Sequence, residues 1–152
     1  QRIYPISDED NYRTLLNHSY FECANILYEA IKIIQIGDVK PIKQKDIHPV
    51  GFYCGRRGEG DEIINWNNSS REIFNFIRAI CDPGPKATTF NNNNMIKINK
   101  ARLIENAPKY KNINGLIVGK TDEGYIVKTG DTTIEILEIE AKETVKIGDR
   151  LG

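Results

Sequence analysis

Residues 53–66 read YCGRRGEGDEIINW and crowd chemically capable side chains into a short stretch. Arg56 and Arg57 are adjacent, and Glu59, Asp61 and Glu62 follow within a few positions. Tyr53 and Trp66 flank the charges. A guanidinium presents a planar fork of N–H donors that meets phosphate or carboxylate oxygens in pairs. An aromatic ring offers a stacking face to a base or a pterin. The segment is therefore expected at the mouth of a binding site, with the arginines on phosphate. The competing reading is internal: either arginine pairs with Glu59, Asp61 or Glu62, and Trp66 packs under the helix that follows.

Other candidates are weaker. GLIVGKT at 115–121 approaches the phosphate-loop pattern, but its first glycine is one residue too close and the stretch reads as a strand. Gly119 is expected at a bulge or bend. His18 falls off the apolar stripe of the first helix and His48 precedes Pro49 in a loop. They are remote in sequence from each other and from the cysteines, so surface histidines are expected. Glu135, Glu138, Glu140 and Glu143 read as a solvated face of the last strand. No G-x-S-x-G or H-E-x-x-H occurs, and no metal site is expected.

The bulk numbers narrow the classes. Of 152 residues 28% are charged, and the formal net charge is zero, which argues against strong non-specific nucleic-acid binding. No apolar run approaches a membrane-spanning length and no signal peptide is visible. Cys23, Cys54 and Cys81 are odd in number and widely spaced, which suits reduced thiols and a cytoplasmic setting rather than a disulfide framework. The chain begins at Gln1, so a fragment or processed product is expected.

These residues need elements to hold them. QRIYPI alternates and reads as a strand end; Ser7 and Asp10 form a loose capping box. Leu16, Tyr20, Cys23, Leu27, Ile31 and Ile34 then mark an amphipathic helix to about Ile36, stopped by Gly37. Its role is to cover a sheet that is largely absent from this sequence. Ser69 with Glu72 caps a second helix whose apolar face is Ile73, Phe76, Ile77 and Ile80, and Asp82-Pro83-Gly84-Pro85 ends it. After Lys86 the period changes to two. ATTF, MIKINKARLI, NGLIVGKT, GYIVKT and TTIEILEIE are predicted strands, with a turn at Asn91–Asn94, and suggest a small antiparallel barrel.

The stretch from Tyr53 to Phe90 also resembles a known family. Asp61, Ile64-Asn65-Trp66, Ile77-Arg78-Ala79 and Pro83-Gly84-Pro85 look like the segment joining the catalytic and C-terminal domains of 10-formyltetrahydrofolate-dependent formyltransferases. QRIYPISDEDNYRTLL resembles the end of the catalytic domain, and IEILEIEAKETVKIGDRLG the close of the C-terminal domain. The resemblance implies an α+β fold. Residues 1–85 would hold the last strand and helices of a formyltransferase catalytic domain with its linker, and 86–152 a small OB-like antiparallel β-barrel. It also places the family's catalytic Asn, His and Asp upstream of Gln1, together with the main 10-formyltetrahydrofolate site. No catalytic residue is therefore assigned here.

Gly55-Arg56-Arg57 is similar to the nucleotide-sugar branch of the family. From Ile96 to Gly152 there are ten Lys/Arg and nine Asp/Glu, less basic than a tRNA-docking domain should be. A nucleotide-linked amino sugar is thus the expected acceptor. Methionyl-tRNA formyltransferase, with initiator tRNA as partner, is the alternative, and a non-catalytic binding module the other. A homodimer is compatible with either. The expected substrate-binding residues are Tyr53, Arg56, Arg57, Trp66, Asn75 and Arg78; Arg78 alternatively pairs on its own helix.

Overall fold

The computed structural model describes residues 2–37 and 39–152. Helix α1 (Tyr12–Ile36) is followed by the single turn α2 (Gln44–Ile47) and by α3 (Ser70–Ile80). Seven strands come next: β1 (Ala87–Asn91), β2 (Asn94–Ile98), β3 (Ala101–Leu103), β4 (Ile117–Lys120), β5 (Tyr125–Lys128), β6 (Thr133–Ile136) and β7 (Ile139–Ala141). No helix among the described residues is long and apolar enough to cross a membrane.

Gln1 lies outside the described residues, and residues 2–6, expected as a strand end, carry no strand. The start of α1 also differs from expectation. Its N-cap is Asn11, whose side chain accepts the Thr14 N–H at 3.1 Å while Thr14 Oγ1 accepts the Asn11 N–H at 2.9 Å. Thr14 thus plays the part that Glu or Gln usually takes in a capping box. Ser7 and Asp10 close the preceding turn instead, with the Ser7 N–H on Asp10 Oδ2 at 2.9 Å. Gly37 ends the helix with φ 83°, as expected of a left-handed cap.

No residue of α1 is buried, and Leu27 and Ile34 are 62% and 63% exposed. Among the described residues no sheet covers this apolar stripe. Helix α3 is different. Ser69 and Glu72 form the expected capping box, and Ile73, Phe74, Ile77 and Ile80 are buried on a face that packs against β1, β3 and β6. Its residues belong to the same hydrophobic core as Ile96, Ile98, Ile117, Val127, Ile134 and Ile136. That shared core fixes the position of α3 on the sheets.

The strands form two antiparallel sheets and no closed barrel: β1-β2-β7 and β3-β6-β5-β4. The predicted run MIKINKARLI breaks at Asn99-Lys100 into β2 and β3, and TTIEILEIE breaks at Leu137-Glu138 into β6 and β7. The two breaks face each other. The Asn99 N–H meets Glu138 O at 2.8 Å, the Leu137 N–H meets Lys100 O at 2.9 Å, and Asn99 Nδ2 donates to Glu138 Oε2. Both chains therefore turn one corner together and pass from one sheet to the other. The β4–β5 register shifts between Ile117 and Gly119, which is the irregularity expected at Gly119.

One expectation for the last strands is corrected. Glu135 is 3% exposed and not on a solvated face. Arg102 Nη2 and Thr121 Oγ1 hold its carboxylate at 2.7 and 2.5 Å. Burial raises the pKa of this carboxyl, but the hydrogen bonds from Thr121 and Arg102 outweigh it and the net shift is downward. The alternation that marks a wet face is the same alternation that can aim a glutamate at a buried partner, so pattern alone did not separate them.

Candidate functional site

The segment from His48 to Gly58 has no regular structure apart from bends and runs over the surface. Phe52 and Tyr53 are 84% and 97% exposed. Arg56 and Arg57 are exposed too, and neither makes an ion pair among the described residues. Two of the three nearby acids accept backbone N–H groups. Asp61 Oδ2 accepts the Gly58 N–H at 2.7 Å, and Glu62 Oε2 accepts the Gly60 N–H at 3.1 Å. These carboxylates shape the turn that follows the arginines. The internal pairing weighed above does not form, so two guanidinium forks and two aromatic rings project from one short arm.

Trp66 stands apart from that arm. It is 4% exposed, and its indole Nε1–H donates to Thr89 Oγ1 at 3.0 Å. Backbone bonds from Ile64 N–H to Thr88 O and from Thr88 N–H to Glu62 O lay residues 62–66 along β1. This leaves no open ring face for stacking, and Trp66 serves the core.

Asn75 and Arg78 are likewise drawn into a structural clamp. Arg78 Nε donates to Asn75 Oδ1 at 3.0 Å, and its Nη1 donates to the Ser7 and Asp10 carbonyls at 2.5 and 3.0 Å. The guanidinium also lies 5.3 Å from the Phe74 ring centre. Arg71 pairs with Asp8 at 2.6 Å, and Arg13 pairs with Asp82. Hydrogen bonding by Arg71 holds the Asp8 carboxyl below its ordinary range. Together these contacts tie the turn before α1 to α3. They also line an open groove of about 980 Å³ that continues past Lys100 and Arg102. Replacing Arg78 by alanine is expected to free the turn at 7–10 and speed proteolytic cleavage there, leaving the sheets intact. Unchanged cleavage would show that the clamp does not hold α1.

The histidines stay local: the His18 ring packs 3.9 Å from that of Tyr4, and His48 Nδ1 lies 2.5 Å from Val50 O. Among the described residues no group of His, Cys, Asp and Glu could hold a metal ion. A further polar cluster was not anticipated. Asp131 Oδ1 accepts from the Ser70 and Thr132 amides at 2.8 and 2.7 Å, and from the Ser70 and Thr129 hydroxyls, each at 3.0 Å. Burial raises the Asp131 pKa, yet these four bonds carry it far below the usual carboxylate range. Only the cap at Ser69 hinted that a helix start needed a partner here.

The architecture and its linker have a match. The formyl transferase C-terminal domain family matches residues 58–151. The chain belongs to this family. A methionyl-tRNA formyltransferase of Streptococcus thermophilus is 32% identical over 100% of the chain, which covers 47% of that protein. One from Fusobacterium nucleatum is 35% identical over 86% of the chain and 41% of its own length. Another, from Mycoplasma mycoides, is 40% identical over 58% of the chain and 28% of its own length. The chain thus spans less than half the length of these relatives. Among solved structures, a variant of HypX from Aquifex aeolicus superposes with a TM-score of 0.63 at 18% identity, covering 93% of this chain and 24% of that one. That likeness concerns the fold. The three relatives from Streptococcus, Fusobacterium and Mycoplasma are named methionyl-tRNA formyltransferase, and none is named for the amino-sugar acceptor expected from Gly55-Arg56-Arg57.

Proposed function

We propose that this chain is the acceptor-docking part of a methionyl-tRNA formyltransferase, with initiator tRNA as its partner and a cytoplasmic setting. The observation that carries the reading is 32% identity along the whole chain to a protein of that name. The geometry supports it. Exposed Arg56 and Arg57 suit phosphates, and Phe52 and Tyr53 suit unstacked bases. Residues 1–85 then close the catalytic half, and 86–152 form the C-terminal unit onto which α3 packs.

The near-balance of charge after Ile96 persists in the fold. Glu135 and Asp131 are absorbed by internal bonds, but Arg102 is held by Glu135 and Lys128 is buried; Lys109, Lys111 and Lys120 stay exposed as local cations. Formal counting ignores which charges face solvent. The reaction proposed for the intact parent moves a formyl group from 10-formyltetrahydrofolate to the amine of the methionyl ester. The residues here do not fit the folate: Trp66 is closed off in the core, and Phe52 and Tyr53 stand almost fully exposed on their arm. Their part is to bind and orient the acceptor.

In the intact parent, Arg56→Ala combined with Arg57→Ala is expected to raise KM for methionyl-tRNA about tenfold, or about 1.4 kcal/mol, with little change in kcat. Unchanged steady-state kinetics would remove the phosphate role. A raised KM for a nucleotide-linked amino sugar, with tRNA not formylated, would restore the other acceptor.

A further inference from the structure

Two charged side chains are buried in the sheets. Glu135 is 3% exposed and Lys128, on β5, is 1% exposed. Glu135 has Arg102 as its partner, whereas Lys128 makes no ion pair among the described residues. Its Nζ donates to the Thr129 carbonyl at 2.5 Å and lies 5.0 Å from the Tyr110 ring centre. An ammonium carries three N–H donors and a full charge, and burying it without a carboxylate is unfavourable. Methionine would fill the same space without that cost, so packing does not account for the lysine.

Its cover is loosely held. Tyr110 stands in the loop that joins β3 to β4. Backbone bonds close the two ends of that loop: the Ala107 N–H meets Ile104 O at 3.3 Å, and the Gly115 N–H meets Lys128 O at 2.8 Å. Between them, residues 108–112 make no backbone hydrogen bond among the described residues. The polar tie of this tip to the sheet is the Tyr110 ring on Lys128. A ring on a cation is a weaker hold than a hydrogen bond between two ions. Lys109 and Lys111, on either side of Tyr110, are exposed and make no ion pair among the described residues.

A phosphate supplies what the buried ammonium lacks, namely negative charge and free acceptor oxygens. A polyanion supplies several at once, and the tip already offers two cations to hold it. We infer that the tip and Lys128 form a further phosphate-contact surface for the RNA partner. Lys109 and Lys111 dock on the RNA backbone, Tyr110 swings off the ammonium, and Lys128 takes a phosphate as the third cation. The inference rests on the RNA reading above and adds a contact surface remote in sequence from Arg56 and Arg57.

Binding of the 152-residue chain to labelled initiator tRNA, followed by fluorescence anisotropy over a range of salt, tests this. Lys109→Ala combined with Lys111→Ala is expected to flatten the slope of log affinity against log salt by about two, and Lys128→Met by about one. Lys128→Met should melt no lower than wild type, because methionine keeps the stem and drops the buried charge. Tyr110→Ala opens the site in advance, so it is expected to bind about threefold tighter, the strength of a partly exposed ring–cation contact. Its Lys128 amine should also be acetylated faster than in wild type. An unchanged salt slope in Lys128→Met would overturn the concealed contact. Weaker binding by Tyr110→Ala would overturn it too, since the ring itself would then be the contact. If Lys128→Met does not fold, the acetylation decides: equally slow labelling of Lys128 in wild type and Tyr110→Ala rejects the cover. Release of the tRNA by inorganic phosphate at matched ionic strength would assign the site to a free anion instead.

Arg56→Ala combined with Arg57→Ala separates this surface from the main reading. Weaker tRNA binding by that variant, with every loop variant equal to wild type, keeps the RNA reading and discards the surface. Flattened slopes in the loop variants, with no preference for initiator tRNA over an unrelated RNA, keep the surface and discard that partner.

Discussion

Trp66→Ala is expected to lower the unfolding free energy by about 3–5 kcal/mol, the usual cost of deleting a buried large aromatic side chain. In a chain of this size that is a fall in melting temperature on the order of 10 °C. The reason is placement. Trp66 is 4% exposed, its N–H is satisfied by Thr89, and it sits in the core with Ile64, Ile96 and Leu151. Truncation would leave a cavity bordered by strands that cannot collapse into it, and an unpaired Thr89 hydroxyl at a fully buried position. Trp66→Phe should cost much less, because most of the ring volume stays. Thermal unfolding of both variants checks this. A Trp66→Ala protein that melts like wild type would move Trp66 back to the role of an exposed stacking platform.

Asp131→Ala is expected to cost about 3 kcal/mol, from lost charge-assisted hydrogen bonds and the lost anion at a helix start. Asp131 reaches the first turn of α3 from 61 residues away. There it takes the Ser70 N–H, one of the donors that the helix itself cannot satisfy. The same residue makes stability pH-dependent. Its folded-state pKa is depressed, so its contribution is present above the unfolded value of about 3.9 and is lost as pH falls toward the folded value. Denaturant unfolding of wild type and variant should therefore differ most at neutral pH and converge in acid. A constant difference across the acid range would mean that the charge of Asp131 is not what holds α3.

Features encoded within a few residues were legible in the sequence. Ser69 and Glu72 mark the start of α3, and Ile73, Ile77 and Ile80 repeat at helical spacing, so the element and most of its buried face followed; Phe74 takes the buried place expected of Phe76, which is only partly buried. The end of α1 at Gly37 is equally local. What escaped depends on partners far along the chain. Trp66 could pack or stack, and Thr89 on β1 decides between them. Glu135 alternates like its neighbours, and its burial follows from Arg102 on the adjacent strand. The corner at Asn99 and Glu138 is invisible in either strand alone, because each break is completed by the other. The two acceptor readings rest on signals of different reach. Gly55-Arg56-Arg57 is a short local signal, whereas likeness to methionyl-tRNA formyltransferases extends over the whole chain.

The arm at Tyr53–Arg57 and the three carboxylates beside it define the central claim, that the exposed guanidinium groups meet an RNA acceptor. The most direct measurement offers the intact parent 10-formyltetrahydrofolate with charged initiator tRNA or with nucleotide-linked amino sugars, and follows formyl transfer over a range of salt. Formylation of methionyl-tRNA that weakens steeply as salt rises is the expected result, since phosphate contacts release counterions. Formylation of an amino sugar, with methionyl-tRNA left unmodified at low salt, would contradict it.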